Sequence, residues 1–162
     1  MARVLIVGGG ARGRCLATQL VGDGGHAVRI VTRTEFGRAA IEAAGAECLI
    51  GTPDRLLTLR GALDGVTIAC WLLATARGPR EQVRALHGSR LQAFLGQAID
   101  TTMRGFVYEA PAGNELTAAG ERIVRADASR NAIPVAFVRA DPGGLDGWLA
   151  DAHAAVDALL GV

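Results

Sequence analysis

Three glycines near the start of the chain have the spacing of a phosphate-binding loop. Gly8, Gly10 and Gly13 form the pattern Gly-x-Gly-x-x-Gly between a short apolar run and an amphipathic segment. In such a loop the first glycine permits a tight turn, the second lets the backbone approach a pyrophosphate, and the third lets the helix pack closely. The N–H groups that open the helix, at Ala11 and Arg12, would face the phosphates. The pattern predicts a dinucleotide-binding loop; the alternative is a tight strand-to-helix turn without a ligand.

A basic residue occupies the position that usually distinguishes NAD-binding from NADP-binding loops. Thr32 and Arg33 follow the second apolar run, about 20 residues beyond the glycines, where an NAD-binding loop usually has Asp or Glu. A guanidinium can hold the 2′-phosphate of NADP with two hydrogen bonds, whereas a carboxylate would repel it. We expect Arg12 to be a second cation at this phosphate. The sequence therefore predicts NADP(H) rather than NAD(H); the alternative is that Arg33 is a solvated surface residue.

Two further residues are expected beside such a cofactor. Leu73 ends the fourth apolar run and would lie along a ribose, or else belong to the core. Asp54 follows the third run and would contact the adenine. Its alternative role, slightly favoured, is to complement the positive end of a helix that starts nearby.

Few side chains could carry acid–base chemistry. The sequence has no lysine, which excludes an amine base or a Schiff base. Tyr108, the only tyrosine, ends an apolar run and could point toward a nicotinamide; the favoured alternative is a half-buried, hydrogen-bonded aromatic. Thr75 follows the fourth run and could donate to a substrate carbonyl, or cap a helix. These two residues are the only catalytic candidates.

The histidines and cysteines form no metal-binding pattern. The three histidines stand far apart and the three cysteines include no Cys-x-x-Cys pair, so we expect no metal site. His87 precedes Gly88 in an amphipathic stretch and is expected at the surface or at a helix cap. Cys70 lies inside an apolar run and is expected to be buried. The odd number of cysteines, with an amino-terminal apolar run too short for a secretion signal, predicts a cytoplasmic protein.

The elements that must position these residues alternate along the chain. Short apolar runs predict six strands, at 3–7, 27–32, 47–50, 66–73, 105–109 and 134–139. Between them, helices are predicted at 11–21, from Thr34 to 44, from Thr52-Pro53 onward, at 79–86, 89–98 and 116–131, and after a cap at Asp141-Pro142. This alternation predicts one doubly wound, three-layer α/β/α Rossmann domain over residues 1–162, with a parallel sheet covered on both faces.

Composition limits the partners of this domain. The 162 residues carry a net charge of +1, which gives no field for nucleic acid or an anionic membrane. No apolar run reaches transmembrane length. The expected partner is a small-molecule dinucleotide, and a homodimer through the apolar face of the 86–98 segment is a further expectation.

Residues 1–75 resemble the extended or atypical short-chain dehydrogenases/reductases. The resemblance is carried by 4–10 (VLIVGGG), 25–29 (GHAVR), Thr32-Arg33 and 63–66 (LDGV). The loop also fits that group's Gly-x-x-x-Gly-x-Gly pattern from Gly9, with Cys15 in place of the last glycine. Both registers place the same backbone against a pyrophosphate. The resemblance implies a Rossmann fold, NAD(P) binding and oxidoreductase activity.

The sequence departs from that group at its catalytic pair. Active members carry Tyr-x-x-x-Lys, whereas Ala112 stands four residues after Tyr108 and lysine is absent. Two functions therefore stay open. The first is an NADP(H)-dependent oxidoreductase on a small carbonyl or quinone that works without the pair. The second is a non-catalytic redox-sensing or regulatory module; binding of another adenine nucleotide is a weaker third.

Overall fold

Six parallel strands form the central sheet of the computed structural model, which describes residues 1–161. They are β1 (Arg3–Gly8), β2 (Ala27–Thr32), β3 (Glu47–Ile50), β4 (Ile68–Leu72), β5 (Gly105–Glu109) and β6 (Val135–Val138). The strand order is β3-β2-β1-β4-β5-β6, and every neighbouring pair is parallel. From β1, successive strands are added toward one edge of the sheet as far as β3 and toward the other edge from β4 to β6, so the strand order reverses between β1 and β4. Their carboxyl ends therefore form the crevice where doubly wound folds bind ligands.

Helices cover both faces of this sheet. They are α1 (Gly10–Gly22), α2 (Arg38–Ala43), α3 (Arg80–Leu86), α4 (Ser89–Ala98), α5 (Glu115–Asn131) and α6 (Leu145–Leu160). One apolar cluster packs α1, α2 and α6 against the sheet, and a second packs α4 and α5. The predicted three-layer α/β/α arrangement is confirmed. Within residues 1–161, no helix has the length and apolarity needed to cross a membrane.

The helix predicted from Thr52-Pro53 is wrong. Residues 52–55 form a turn, followed by short 3-10 helices at Leu56–Leu59 and Gly61–Leu63. The Thr58 hydroxyl donates to the Arg55 carbonyl at 2.6 Å and accepts from the Thr52 N–H at 2.9 Å. These side-chain bonds compete with helical ones. The buried Arg29 guanidinium then binds the Ala62 carbonyl at 2.6 Å, which holds the segment against β2.

Two predicted helix caps also differ from the structure. The last helix begins at Leu145 after Gly144, so Asp141-Pro142 is not its cap. The Asp141 carboxylate instead accepts from the Gly143 N–H at 2.9 Å, within the preceding turn. Thr34 precedes a 3-10 turn, and its side chain makes no capping hydrogen bond. In both places a local turn comes first and the helix starts later; the Asp141 side chain stabilises its turn, whereas at Thr34 the bond is from the Gly37 N–H to the Thr34 backbone carbonyl.

Candidate functional site

The glycine loop joins β1 to α1 in a conformation that requires glycine. The φ angles of Gly8–Gly10 are +89°, +84° and +53°. A Cβ on Gly8 would collide with the Leu72 carbonyl oxygen and the Leu73 side chain, because the ends of β1 and β4 lie side by side there. A Cβ on Gly13 would lie 2.8 Å from the Gly8 carbonyl oxygen. Gly13 therefore allows α1 to pack directly against the end of β1.

The start of α1 fits a pyrophosphate. Gly9 is the N-cap and supplies no side-chain cap, and the first turn contains no acidic residue. The first N–H groups of the helix, at residues 10–12, have no helical acceptor. A Cβ on Gly10 would meet nothing within 4 Å, so the space in front of the helix is open. Free donors, the positive end of a helix dipole and open space together suit an anionic group.

A cleft of about 480 Å³ lies in front of this loop. Residues 8–12 form one wall, the 72–77 segment after β4 forms the other, and Arg33 lines the cleft from the carboxyl end of β2. Most of the predicted cofactor residues therefore share one cleft: Gly8, Gly10, Ala11, Arg12, Arg33 and Leu73. Gly13 lies behind the loop. Thr32 does not line the cleft; its carbonyl accepts from the Gly51 N–H at 2.9 Å.

Arg33 is 61% exposed, and its nearest carboxylate is that of Asp54, at 3.8 Å. Such a long pair between solvated groups contributes at most about 1 kcal/mol and leaves the guanidinium available to a ligand. The α-helix expected near Asp54 is absent, and the 3-10 helix that starts at Leu56 has no acidic residue in its first turn, so the expectation that Asp54 complements a helix is wrong. Asp54 instead places a negative charge next to Arg33.

Arg12 points into the protein rather than toward solvent. Its guanidinium donates to Glu109 Oε2 at 2.8 Å and to Thr75 Oγ1 at 2.7 Å. The guanidinium carbon also lies 4.5 Å from the centre of the Trp148 ring. With 13% exposure and two donors in use, Arg12 forms part of the cleft floor. This placement differs from the expectation that Arg12 joins Arg33 at a 2′-phosphate.

Glu109, which was not predicted from the sequence, is the buried centre of this floor. It ends β5 with no exposed surface. Besides Arg12, it accepts from Trp148 Nε1 at 2.6 Å and from the Ala74 N–H at 3.0 Å. Its carboxylate thus ties together α1, α6 and the segment after β4. The available signal was a charged residue at the end of an otherwise apolar central strand, because a charge there needs buried partners.

Tyr108 and His87 form a buried pair behind the cleft. The Tyr108 hydroxyl lies 2.6 Å from His87 Nδ1, and His87 Nε2 lies 3.1 Å from the Leu73 carbonyl oxygen. A carbonyl only accepts, so Nε2 carries the hydrogen and Nδ1 accepts from the hydroxyl. Burial lowers the pKa of His87 and raises the pKa of Tyr108, so both are neutral near pH 7.

Tyr108 and His87 both lie inside the protein, and each matches one of the alternatives expected for it. Tyr108 is fully buried and has no surface for a substrate, so it is the hydrogen-bonded aromatic of the alternative interpretation. Of the two placements expected for His87, the surface is wrong, since it is 3% exposed, and the helix cap is confirmed, since His87 is the C-cap of α3. It follows the last residue of α3 and turns inward to the carboxyl ends of β4 and β5.

Thr75 lies between the first cleft and a second one. The second cleft, about 540 Å³, covers the carboxyl ends of β4–β6 and is lined in part by Asn114, Glu115, Arg139 and Asp141. Thr75 lines both clefts and is exposed. Because its oxygen accepts from Arg12, its own hydrogen remains available to a bound molecule.

The cysteines and histidines of residues 1–161 form no metal site. No three His, Cys, Asp or Glu side chains in this part of the chain lie close enough together to hold an ion. Cys70 is buried in β4 as predicted, and burial raises its thiol pKa to about 12. It is therefore a protonated, apolar core residue at physiological pH.

Comparison with known proteins gives a likeness in structure only. No protein-family model and no curated protein matches the sequence. Vestitone reductase from alfalfa (Medicago sativa) has a TM-score of 0.66 at 14% identity, over 86% of this chain and 56% of that one. Triphenylmethane reductase from Citrobacter sp., complexed with NADP(H), has a TM-score of 0.65 at 17% identity, over 85% and 48%.

A third solved structure, UDP-glucuronic acid 4-epimerase from Bacillus cereus in complex with NAD, has a TM-score of 0.66 at 12% identity, over 85% and 55%. This chain therefore spans about half the length of these proteins. At such identities the likeness concerns the fold. The chain has the Rossmann-like α/β fold of these reductases and of the epimerase, as the alternation of strands and helices predicted.

Proposed function

We propose that this chain binds NADP(H) in the cleft between the glycine loop and the segment after β4. The observation that carries the proposal is that Gly8–Gly10 and Arg33 line one cleft at the crevice between β1 and β4. The pyrophosphate would lie at the start of α1, and the 2′-phosphate at Arg33. The fold supports dinucleotide binding in general, since solved structures with this fold hold NADP(H) or NAD.

The preference for NADP(H) rests on Arg33. Its guanidinium is mostly exposed and has only a distant carboxylate partner, so it can give two hydrogen bonds to a phosphate. The ribose 2′-hydroxyl of NAD(H) would gain much less from a guanidinium. Asp54 moderates this preference, because a carboxylate close to Arg33 is repelled by a 2′-phosphate.

The second cleft supports an oxidoreductase role. NADPH supplies a hydride when it is bound. Thr75 lies at the junction of the two clefts with a free hydroxyl hydrogen, which suits the oxygen of a small carbonyl or quinone. Arg12 donates to the Thr75 oxygen and thereby restricts the directions in which that hydrogen can point. Turnover without a Tyr–Lys pair would then depend on positioning the substrate against the cofactor.

The buried Tyr108 favours a second function, a redox-sensing or regulatory module without turnover. The only tyrosine has no exposed surface and the sequence has no lysine, so the usual acid–base pair is missing. NADPH oxidation with a panel of small aldehydes, ketones and quinones distinguishes the two functions. Turnover that a Thr75→Val substitution abolishes supports the oxidoreductase; tight NADPH binding with no turnover supports the module.

Binding itself is tested with the Arg33→Ala variant. A charge-assisted hydrogen bond contributes about 1.5–3 kcal/mol, so this variant should lose roughly 10- to 100-fold in NADPH affinity. Its NADH affinity should not change. The control is Arg104→Ala. Arg104 is exposed and lies at the amino-terminal ends of the strands, opposite the cleft, so its removal should change neither affinity. Equal losses of NADPH and NADH affinity in Arg33→Ala would remove the basis for the NADP(H) assignment.

A further inference from the structure

The three arginines that line the first cleft differ in their carboxylate partners. Arg12 is paired with Glu109 at 2.8 Å, and Arg33 with Asp54 at 3.8 Å. Arg77 lies within 4.0 Å of no carboxylate oxygen among residues 1–161. The cleft wall itself contains no Asp or Glu. Arg77 is therefore the one arginine of the described wall whose charge no neighbouring carboxylate offsets.

Arg77 lines the first cleft and not the second. It lies in the exposed segment after β4, on the wall opposite the glycine loop. That segment has no regular structure at Arg77, and Gly78 follows with a φ of +148°. Arg77 does not line the second cleft, where a substrate would lie. Arg77 therefore lines the cleft that contains the start of α1, and not the cleft where a substrate would lie.

We infer that Arg77 is a pyrophosphate-binding residue that contacts the cofactor from the side of the cleft opposite α1. The inference rests on the proposed function. The start of α1 offers N–H groups and a partial charge, while the Arg12 charge is already balanced by Glu109. A pyrophosphate has a negative charge on each phosphate, so a full counter-charge on the free wall completes the site. Because the pyrophosphate is common to both dinucleotides, Arg77 contributes affinity without selecting between them.

Binding measurements on Arg77→Ala test the inference. The probes are NADPH, NADH and ADP-ribose, which all contain a pyrophosphate, and AMP, which does not. The expected result is a similar loss for the first three, roughly tenfold for one charge-assisted contact, with AMP affected less. The loss should shrink at high salt, because the contact is solvent-exposed. Arg84→Ala is the matched control, since Arg84 is an exposed arginine on α3 outside the cleft.

The outcomes separate this inference from the proposed function. If the unmodified protein binds NADPH and Arg77→Ala binds it equally well, the inference is refuted and the proposed function stands. If Arg77→Ala loses affinity for NADPH but not for NADH or ADP-ribose, Arg77 contacts the 2′-phosphate and the inference is again refuted. If the unmodified protein binds neither dinucleotide, the proposed function itself fails. Misfolding does not confuse these outcomes, because the exposed Arg77 side chain makes no hydrogen bond or ion pair among residues 1–161, and unfolding midpoints check this directly.

Discussion

Substitution of Glu109 by Gln replaces one carboxylate oxygen by an NH₂ group. It should destabilise the protein more than any other nearly isosteric substitution in the cleft floor. The carboxylate has no exposed surface and accepts from Arg12 and Trp148 on one oxygen and from the Ala74 N–H on the other. A glutamine has only one acceptor oxygen. Its NH₂ group must therefore face either the Ala74 N–H or the other two donors, and at least one buried donor loses its partner.

The expected loss can be estimated from these contacts. Removal of one member of a buried ion pair costs about 3–5 kcal/mol, and a buried donor without a partner costs about 1–3 kcal/mol. Arg12 keeps 13% exposure and its bond to Thr75, which places the loss at the lower end. We predict about 3 kcal/mol from urea unfolding, with part of the loss due to the uncompensated guanidinium.

A double-mutant cycle isolates the part of the stability loss that comes from the uncompensated Arg12 guanidinium. Arg12→Met combined with Glu109→Gln removes both charges, so the double variant should be more stable than the sum of the two single losses by at least about 1 kcal/mol. A loss below about 0.5 kcal/mol for Glu109→Gln, as for a surface substitution, would contradict a buried ion pair here, and so would two single losses that simply add.

Three further predictions concern packing and protonation around the cleft. Gly13→Ala should cost about 1–3 kcal/mol in unfolding free energy and also weaken NADPH binding, because its Cβ would press on the Gly8 carbonyl oxygen; normal stability would contradict the close approach. Gly120→Ala should be similarly destabilising, since its Cβ would collide with the Tyr108 hydroxyl, and Tyr108→Phe should recover part of that loss in the double variant. No recovery would argue against this contact. Burial holds the pKa of His87 below its ordinary 6.5, so as the pH falls the unfolded chain binds this proton first, and stability should fall below about pH 6.5. Between about pH 7 and pH 5, the urea unfolding midpoint should therefore fall less in His87→Gln than in the unmodified protein. An equal dependence of the two midpoints on pH would contradict this.

The fold was predictable because its signals are local and strong. The run from Val4 to Val7 and the β5 residues are buried on both faces, as continuous apolar runs in a covered parallel sheet must be. The glycine loop was predictable for a steric reason: a left-handed backbone and a close approach at Gly8 exclude any side chain. Alternation of strands and helices then determined the layers and left few topologies.

The details of the site depend on contacts that the sequence does not show. Arg12 and Glu109 are 97 residues apart, and only the strand order brings the end of β5 under the start of α1. The partnership of His87 with Tyr108 likewise depends on two neighbouring strand ends. At Thr52-Pro53 a local helix-start pattern was overridden by hydrogen bonds from Thr58 and Arg29. Long-range pairing thus decides which polar residues are buried, while local pattern decides where strands and loops lie.

Calorimetric titration of the unmodified protein with NADPH and with NADH would show whether this cleft holds a dinucleotide with a 2′-phosphate. We expect both dinucleotides to bind at one site and NADPH to bind at least about tenfold more tightly, a difference of about 1.4 kcal/mol. Equal dissociation constants would contradict the role of Arg33. Absence of binding by either would contradict the whole assignment and leave the glycine loop as a turn between β1 and α1.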